Sequence, residues 1–237
     1  MKLSAPVYNL KRQAKILSIE EKIPLHEALD RIAVREGCSG WSHLAAKASA
    51  IGPAGKLYAR IQPGDLVLLG ARPGQGKTLM SLELAVAAMK SGNRTVFFSL
   101  EFSDRDFRGA FQGIGVDPAQ FDGLLEFDGS DSISADHIAR SLETAPPGTL
   151  VIIDYLQLLD QKRDTPRLMV QVRRLKSFAR EQGMTMVFIS QIDRSYDPSI
   201  KPFPGLKDVR LPNPLDLKLF DQMCFLNNGE VQFGTVS

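Results

Sequence analysis

The sequence predicts an α/β fold in which a mainly parallel sheet is flanked by helices and preceded by a small helical module. Two observations carry this. From Gln62 onward, short apolar runs alternate with stretches of helical periodicity, the pattern of strands joined by crossover helices. The first fifty residues carry only helical periodicity and lead into Ile51-Gly52-Pro53-Ala54-Gly55, a linker-like stretch. The expected organisation is a helical module with its linker over 1–55 and an α/β domain over 56–237.

In the module, Leu10, Ala14 and Leu17 share one helical face, and Leu25, Ala28, Leu29 and Ile32 share another. Pro24 suits the first turn of the second helix and Gly37 its end. A third short helix is expected from Trp41 to Ala48. In the larger domain, Leu66-Val67-Leu68-Leu69-Gly70 reads as a buried strand. A helix from Lys77 to Lys90 follows, ended near Gly92, then a strand from Thr95 to Leu100 and a helix from Asp104 to Gln112. A weaker strand over Leu124–Phe127 precedes a helix from Ala135 to Leu142. Leu150-Val151-Ile152-Ile153-Asp154 is strongly apolar until its last residue. Leu168, Val172, Leu175 and Ala179 mark a helical face before the strand Thr185–Ser190. Near the end, Asn228-Gly229 predicts a tight hairpin between Met223–Leu226 and Val231–Phe233.

Composition narrows the function classes. Among 237 residues, 43% are hydrophobic and 24% charged, as in ordinary globular proteins. No apolar run approaches the roughly 20 residues that cross a bilayer, and the start lacks a secretory signal's apolar core, so a cytoplasmic protein is expected. Cys38 and Cys224 have no metal-ligand spacing and read as buried thiols. Net charge is +2, but residues 1–60 carry a balance of +5 and the remainder −3. No overall field commits the chain to nucleic acid. The basic segment reads either as a solvated helical surface or as a face for an acidic partner.

The most specific motif follows the first strand: Ala71-Arg72-Pro73-Gly74-Gln75-Gly76-Lys77-Thr78. Strand, glycine-rich turn, Lys-Thr and helix occur in the order of a phosphate-binding loop, or P-loop. The glycines let backbone N–H groups curl around phosphates, Lys77 supplies a point charge, and Thr78 offers a hydroxyl to Mg²⁺. A magnesium–nucleoside triphosphate, ATP first, is therefore the expected ligand. It would be cradled by Ala71, Arg72, Pro73, Gly74, Gln75, Gly76, Lys77, Thr78 and Leu79. Alanine stands at the first glycine position, which is tolerable if Ala71 keeps a negative φ. Asp154 ends an apolar strand and is expected either to hold Mg²⁺ with Thr78 or to cap a turn. Glu101, after Phe97-Phe98-Ser99-Leu100, reads as a base for the attacking water or as a solvated residue. Gln191, after Val187-Phe188-Ile189-Ser190, is expected to reach the γ-phosphate region or to bond a loop.

Taken together, these segments resemble the RecA-like ATPase core of the DnaB-type replicative helicases. The resemblance rests on Gly70–Thr78, on Phe97–Glu101, on Ile152-Ile153-Asp154-Tyr155-Leu156-Gln157-Leu158-Leu159 and on Ser190-Gln191-Ile192-Asp193-Arg194-Ser195, and it covers roughly residues 60 to 235. Alanine in place of the first glycine is usual in that family. The resemblance implies Lys77 and Thr78 on phosphate and metal, Glu101 as catalytic glutamate, Asp154 as metal carboxylate and Gln191 as γ-phosphate sensor. It also implies ATP and Mg²⁺ as cofactors, homo-oligomers in the form of hexameric rings, and single-stranded DNA as partner. The loop Tyr196–Pro214, with Lys201, Lys207 and Arg210, lies where the family places a DNA-facing loop; a rigid surface loop is the alternative.

Two departures stand out. The family carries a larger N-terminal helical domain than residues 1–55. It also supplies cations near the last hairpin that reach a neighbouring subunit's nucleotide, whereas this stretch reads Cys224-Phe225-Leu226-Asn227-Asn228-Gly229-Glu230. Arg194 and Arg210 are the candidate substitutes. The sequence thus supports an ATP-hydrolysing helicase or translocase first, and an ATP-binding regulatory or interaction module second. A small-molecule kinase explains the P-loop but neither Glu101 nor the Asp154–Leu159 run.

Overall fold

The computed structural model describes residues 7–44, 52–131, 133–160, 167–211 and 213–236. Two compact units emerge, residues 1–60 and 61–237. In the first, α1 (Val7–Glu20) packs on α2 (Leu25–Arg35) through buried Leu10, Ala14, Ala28 and Ile32. Leu17 and Leu29 are half-buried, as the shared faces predict. Leu25 departs from the expected face and is 39% exposed, because it opens the helix directly after Pro24. Gly37 has the left-handed φ of 73° that ends α2. Residues 41–44 begin the expected third helix, and its remainder, 45–48, lies outside the described residues, as does Ile51 of the linker. A short helix, α3 (Pro53–Tyr58), follows.

The second unit is built on a seven-stranded sheet. Its strands are β1 (Leu66–Ala71), β2 (Thr95–Ser99), β3 (Leu125–Asp128), β4 (Leu150–Asp154), β5 (Thr185–Gln191), β6 (Gln222–Asn227) and β7 (Glu230–Thr235). Their order is β3-β2-β4-β5-β1-β6-β7, parallel throughout except the β6–β7 hairpin. The four central strands are apolar on both faces because both faces are covered. On one face Leu66, Leu68, Val151, Ile153, Met186 and Phe188 pack in a core with α6 (Ala135–Ser141) and α7 (Leu168–Gln182). All four residues of the expected α7 stripe, Leu168, Val172, Leu175 and Ala179, are buried there. On the other face lie α4 (Lys77–Lys90) and α5 (Asp104–Gly113), the latter through Phe107, whose ring sits 5.0 Å from that of Phe97. Each fully buried Leu, Ile or Phe contributes about 1.5–3 kcal/mol, so the register of the central strands is strongly fixed. The edges are weaker. β3 is only half-buried, and in β7 the exposed Glu230 and Gln232 alternate with half-buried Val231 and Phe233.

Strand ends differ in small but consequential ways from those expected. β2 stops at Ser99, so Glu101 lies in a bend two residues beyond it. β5 runs on to include Gln191, because that residue pairs with Ala71 of β1. The Asp154 strand does not neighbour the P-loop strand, because β5 is inserted between β1 and β4. α4 carries the chain from β1 past β5 and β4 to β2, so Gln191 stands between the loop and the carboxylates. The hairpin forms as expected, with strands that extend to Gln222–Asn227 and Glu230–Thr235 and with φ of 51° at Asn228 and 78° at Gly229. Both values are positive, as the Asn-Gly turn requires.

Candidate nucleotide site at the carboxyl ends of the strands

Parallel strands deliver their carboxyl ends to one sheet edge, and the candidate residues gather there. Ala71 ends β1 and is fully buried; its φ is not positive, which is why alanine serves in place of glycine. Gly74 and Gly76 do need the left-handed region, with φ of 75° and 86°. Nothing lies within 4 Å of where a Cβ would stand on either, so it is the left-handed backbone and not crowding that asks for glycine there. Gly76 caps α4 without a side-chain partner, so no cap side chain takes up the first-turn N–H groups. Leu79, at the end of the predicted stretch, is 47% exposed. Gly70 is glycine for another reason: a Cβ there would come within 2.7 Å of the Phe225 ring.

Lys77 extends back over the turn and donates to the carbonyls of Ala71 (3.2 Å) and Arg72 (3.1 Å). Burial pushes its pKa down, while Asp154 and Glu101 oppose the shift. Asp154 is 4% exposed, and its pKa is raised to about 7, first by burial, then by Glu101, with Lys77 opposing. The Glu101 charge therefore acts on both Lys77 and Asp154 across the edge. Glu101 itself is exposed, and its N–H donates to the Ser99 hydroxyl at 3.0 Å, which shapes the bend that carries it.

A buried carboxylate whose charge is this poorly compensated calls for a cation. Among the described residues no three His, Cys, Asp or Glu side chains converge to cage one. That donor set fits Mg²⁺, which takes one or two protein oxygens and completes its shell with phosphate and water. Asp154 and the Thr78 hydroxyl are the residues that would hold it.

A family model described as the KaiC ATPase matches residues 55–204. The chain belongs to the KaiC ATPase family. Within it, the domain is of the RecA-like, DnaB-resembling kind. The replicative DNA helicase DnaB of Pasteurella multocida is 24% identical over 241 residues, covering 87% of this chain and 51% of that protein. The corresponding helicase of Leifsonia xyli is 27% identical over 183 residues, covering 63% and 40%. This chain thus spans about half or less of the length of these relatives. Among solved structures, a DnaB-like replicative helicase studied with primase aligns over 97% of this chain and 74% of its own (TM-score 0.58, 18% identity). A KaiC-like protein of Pyrococcus horikoshii aligns over 74% and 78% (TM-score 0.53, 19% identity). Both show the same fold. No helix among the described residues is long and apolar enough to cross a membrane.

The loop that follows β5 in this KaiC-family domain is tightly tied. Ile192 pairs antiparallel with Val209, Asp193 N–H donates to Asp208 O (2.7 Å), and Tyr196 OH donates to Lys201 O (3.0 Å). Of the three cations expected to face DNA, Lys201 is ion-paired with Asp208, whose carboxyl stays below its usual range. Burial opposes that shift; the Lys201 and Gly205 donors prevail. Lys207 is exposed, and Arg210 Nη1 donates to Gln191 Oε1 at 3.3 Å. Pro212 lies outside the described residues.

Two contacts were invisible in the sequence. Gln157 Nε2 donates to Arg210 O at 2.7 Å, across 53 residues. Asn228 N–H, in the hairpin turn, donates to Gln75 Oε1 of the P-loop at 2.7 Å, across 153 residues. The composition of the Asp154–Leu159 run singles out Gln157, but only the β5–loop pairing reveals what it holds.

Proposed function

We propose that this chain binds Mg²⁺–ATP at the carboxyl edge of β1, β4 and β5, hydrolyses it, and couples hydrolysis to movement on single-stranded DNA as part of a ring-forming oligomer. The observation that carries the proposal is the convergence of Lys77, Asp154 and Glu101 at one sheet edge, near enough that the charges of Asp154 and Glu101 act on Lys77 and those of Glu101 and Lys77 on Asp154, beside Gln191 on the intervening strand. Lys77 and the open N–H groups at the start of α4 bind the β- and γ-phosphates. Thr78 and Asp154 hold the metal, which when bound offsets charge on the phosphate oxygens. Glu101 accepts a proton from water as the water oxygen bonds to the γ-phosphorus. The bond from that phosphorus to the β–γ bridging oxygen breaks, giving ADP and inorganic phosphate. Gln191 donates its amide N–H to the γ-phosphate, and its strand continues directly into the 193–210 loop.

DNA as the partner is supported by the DnaB relatives and by exposed Lys207 on that loop. It is tested with a labelled oligothymidine in a fluorescence anisotropy titration. Tighter binding with a non-hydrolysable ATP analogue than with ADP, lost in Lys77→Ala, is expected. Absence of DNA binding in either nucleotide state overturns the DNA assignment while leaving ATP hydrolysis standing. A regulatory ATP-binding module is the second reading. It is favoured by the Lys201–Asp208 pair, which occupies a cation the first reading would free, and by the cation-free hairpin.

A further inference from the structure

Charge develops on the equatorial oxygens of the transferred phosphoryl group, and ATPases of this mechanistic class commonly meet it with a guanidinium in addition to lysine and metal. The hairpin from Cys224 to Glu230 carries no cation that could reach a neighbouring nucleotide. A guanidinium is present elsewhere, on the chain's own nucleotide edge. Arg210 Nη1 lies 3.3 Å from Gln191 Oε1, and Gln191 is paired with Ala71 at the mouth of the P-loop.

The main chain of Arg210 is held on both sides. Its N–H donates to Gln191 O (2.8 Å), its carbonyl accepts from Gln157 Nε2 (2.7 Å), and the preceding Val209 is bridged to Ile192. The side chain is exposed, so it pivots from a fixed base. Its bond to Gln191 has a chemical consequence. With the amide oxygen engaged by the guanidinium, the NH₂ is the part of the Gln191 amide left to donate to a phosphate. Arg194, the other candidate, lies on the exposed turn after Asp193 and has no such tie to Gln191.

We propose that Arg210 is a catalytic residue of its own chain's site, placing its guanidinium with the Gln191 amide on the γ-phosphoryl oxygens as the bond to the bridging oxygen breaks. This rests on the ATP-hydrolysis reading above. The role requires no neighbouring subunit, and its strength comes from a fork geometry that lysine reproduces only as a point charge.

Affinity for ADP and for ADP–aluminium fluoride, a mimic of the transferred phosphoryl group, tests the assignment without relying on turnover. Arg210→Ala keeps the main-chain bonds and is expected to bind ADP within about twofold of the parent. Its affinity for ADP–aluminium fluoride and its kcat are expected to fall by about 10³-fold, with Arg210→Lys recovering part of the loss. Equal affinities for the mimic in parent and Arg210→Ala overturn the proposal; weakened oligothymidine binding alongside them reassigns Arg210 to the DNA strand. Mixing Arg210→Ala with Lys77→Ala supplies a second arm. Turnover restored in the mixture shows the guanidinium acting across subunits and overturns the single-chain role; an inactive mixture supports it. Lys77→Ala serves as the control for the underlying reading, because it must lose ADP as well as the mimic. If it loses neither, the nucleotide site itself is misplaced and Arg210 falls with it.

Discussion

Asp154 carries the most information per atom. Its carboxyl is buried at the end of β4, and its folded pKa of about 7 lies above the ordinary carboxylate value. The native state therefore holds this proton more tightly than the unfolded chain does. By linkage, the contribution of Asp154 to stability is greatest at low pH and falls as pH rises from about 4 to 7, then levels off. In the nucleotide-free protein, Asp154→Asn is expected to raise Tm at pH 8 by about 5 °C and to flatten that dependence, as scanning fluorimetry would report. The same variant should lose the extra stabilisation that Mg²⁺–ATP gives over ATP with chelator. A lower Tm at pH 8 would mean that the protein itself satisfies the carboxylate. Glu101 behaves differently because it is exposed. Glu101→Gln should keep ATP affinity while turnover drops by about 10²- to 10⁴-fold, measured by phosphate release. Both residues were legible in the sequence, since each ends or follows an apolar strand. What was not legible was their company. Gln191 stands between the P-loop and Asp154 because β5 inserts there, and strand order is a long-range property that no local pattern encodes.

Between elements, the contacts that matter are long-range polar ones. Gln171 of α7 is 1% exposed; it accepts from Ala135 N–H at the start of α6 (3.0 Å) and donates to the Leu159 carbonyl after β4. One amide thus satisfies two backbone groups from separate elements. Gln171→Leu fills similar space but leaves both unpaired, and should cost about 2–4 kcal/mol. A urea titration would show this as a lower midpoint with unchanged slope. A loss below about 0.5 kcal/mol would mean that the two backbone groups find other partners. Gly70 makes the complementary steric case: Gly70→Ala sets a methyl against Phe225 and Ile192 and should push β6 away from β1. Element type and approximate extent were readable from periodicity, including the α7 stripe and the Asn228-Gly229 hairpin. The 3₁₀ turns at Pro118–Phe121 and Leu156–Asp160 were not. Segments of four or five residues leave too few positions for a period to register.

Across the whole molecule, a two-layered helix covering of the sheet frees one edge for chemistry, and the residues there form a coherent set. The glycine-rich loop, Lys77, Asp154, Glu101, Gln191 and Arg210 all lie at the ends of β1, β2, β4 and β5 or in the segments that follow them. The hairpin turn also belongs to that edge, because β6 pairs with β1 and brings Asn228 to Gln75. Hydrolysis coupled to DNA is the central claim, and steady-state ATP turnover with and without single-stranded DNA tests it most directly. The parent protein is expected to hydrolyse ATP, to be stimulated by the DNA, and to lose both behaviours in Lys77→Ala and Glu101→Gln. Tight ATP binding with turnover no greater than that of Glu101→Gln, and no response to DNA, would contradict it.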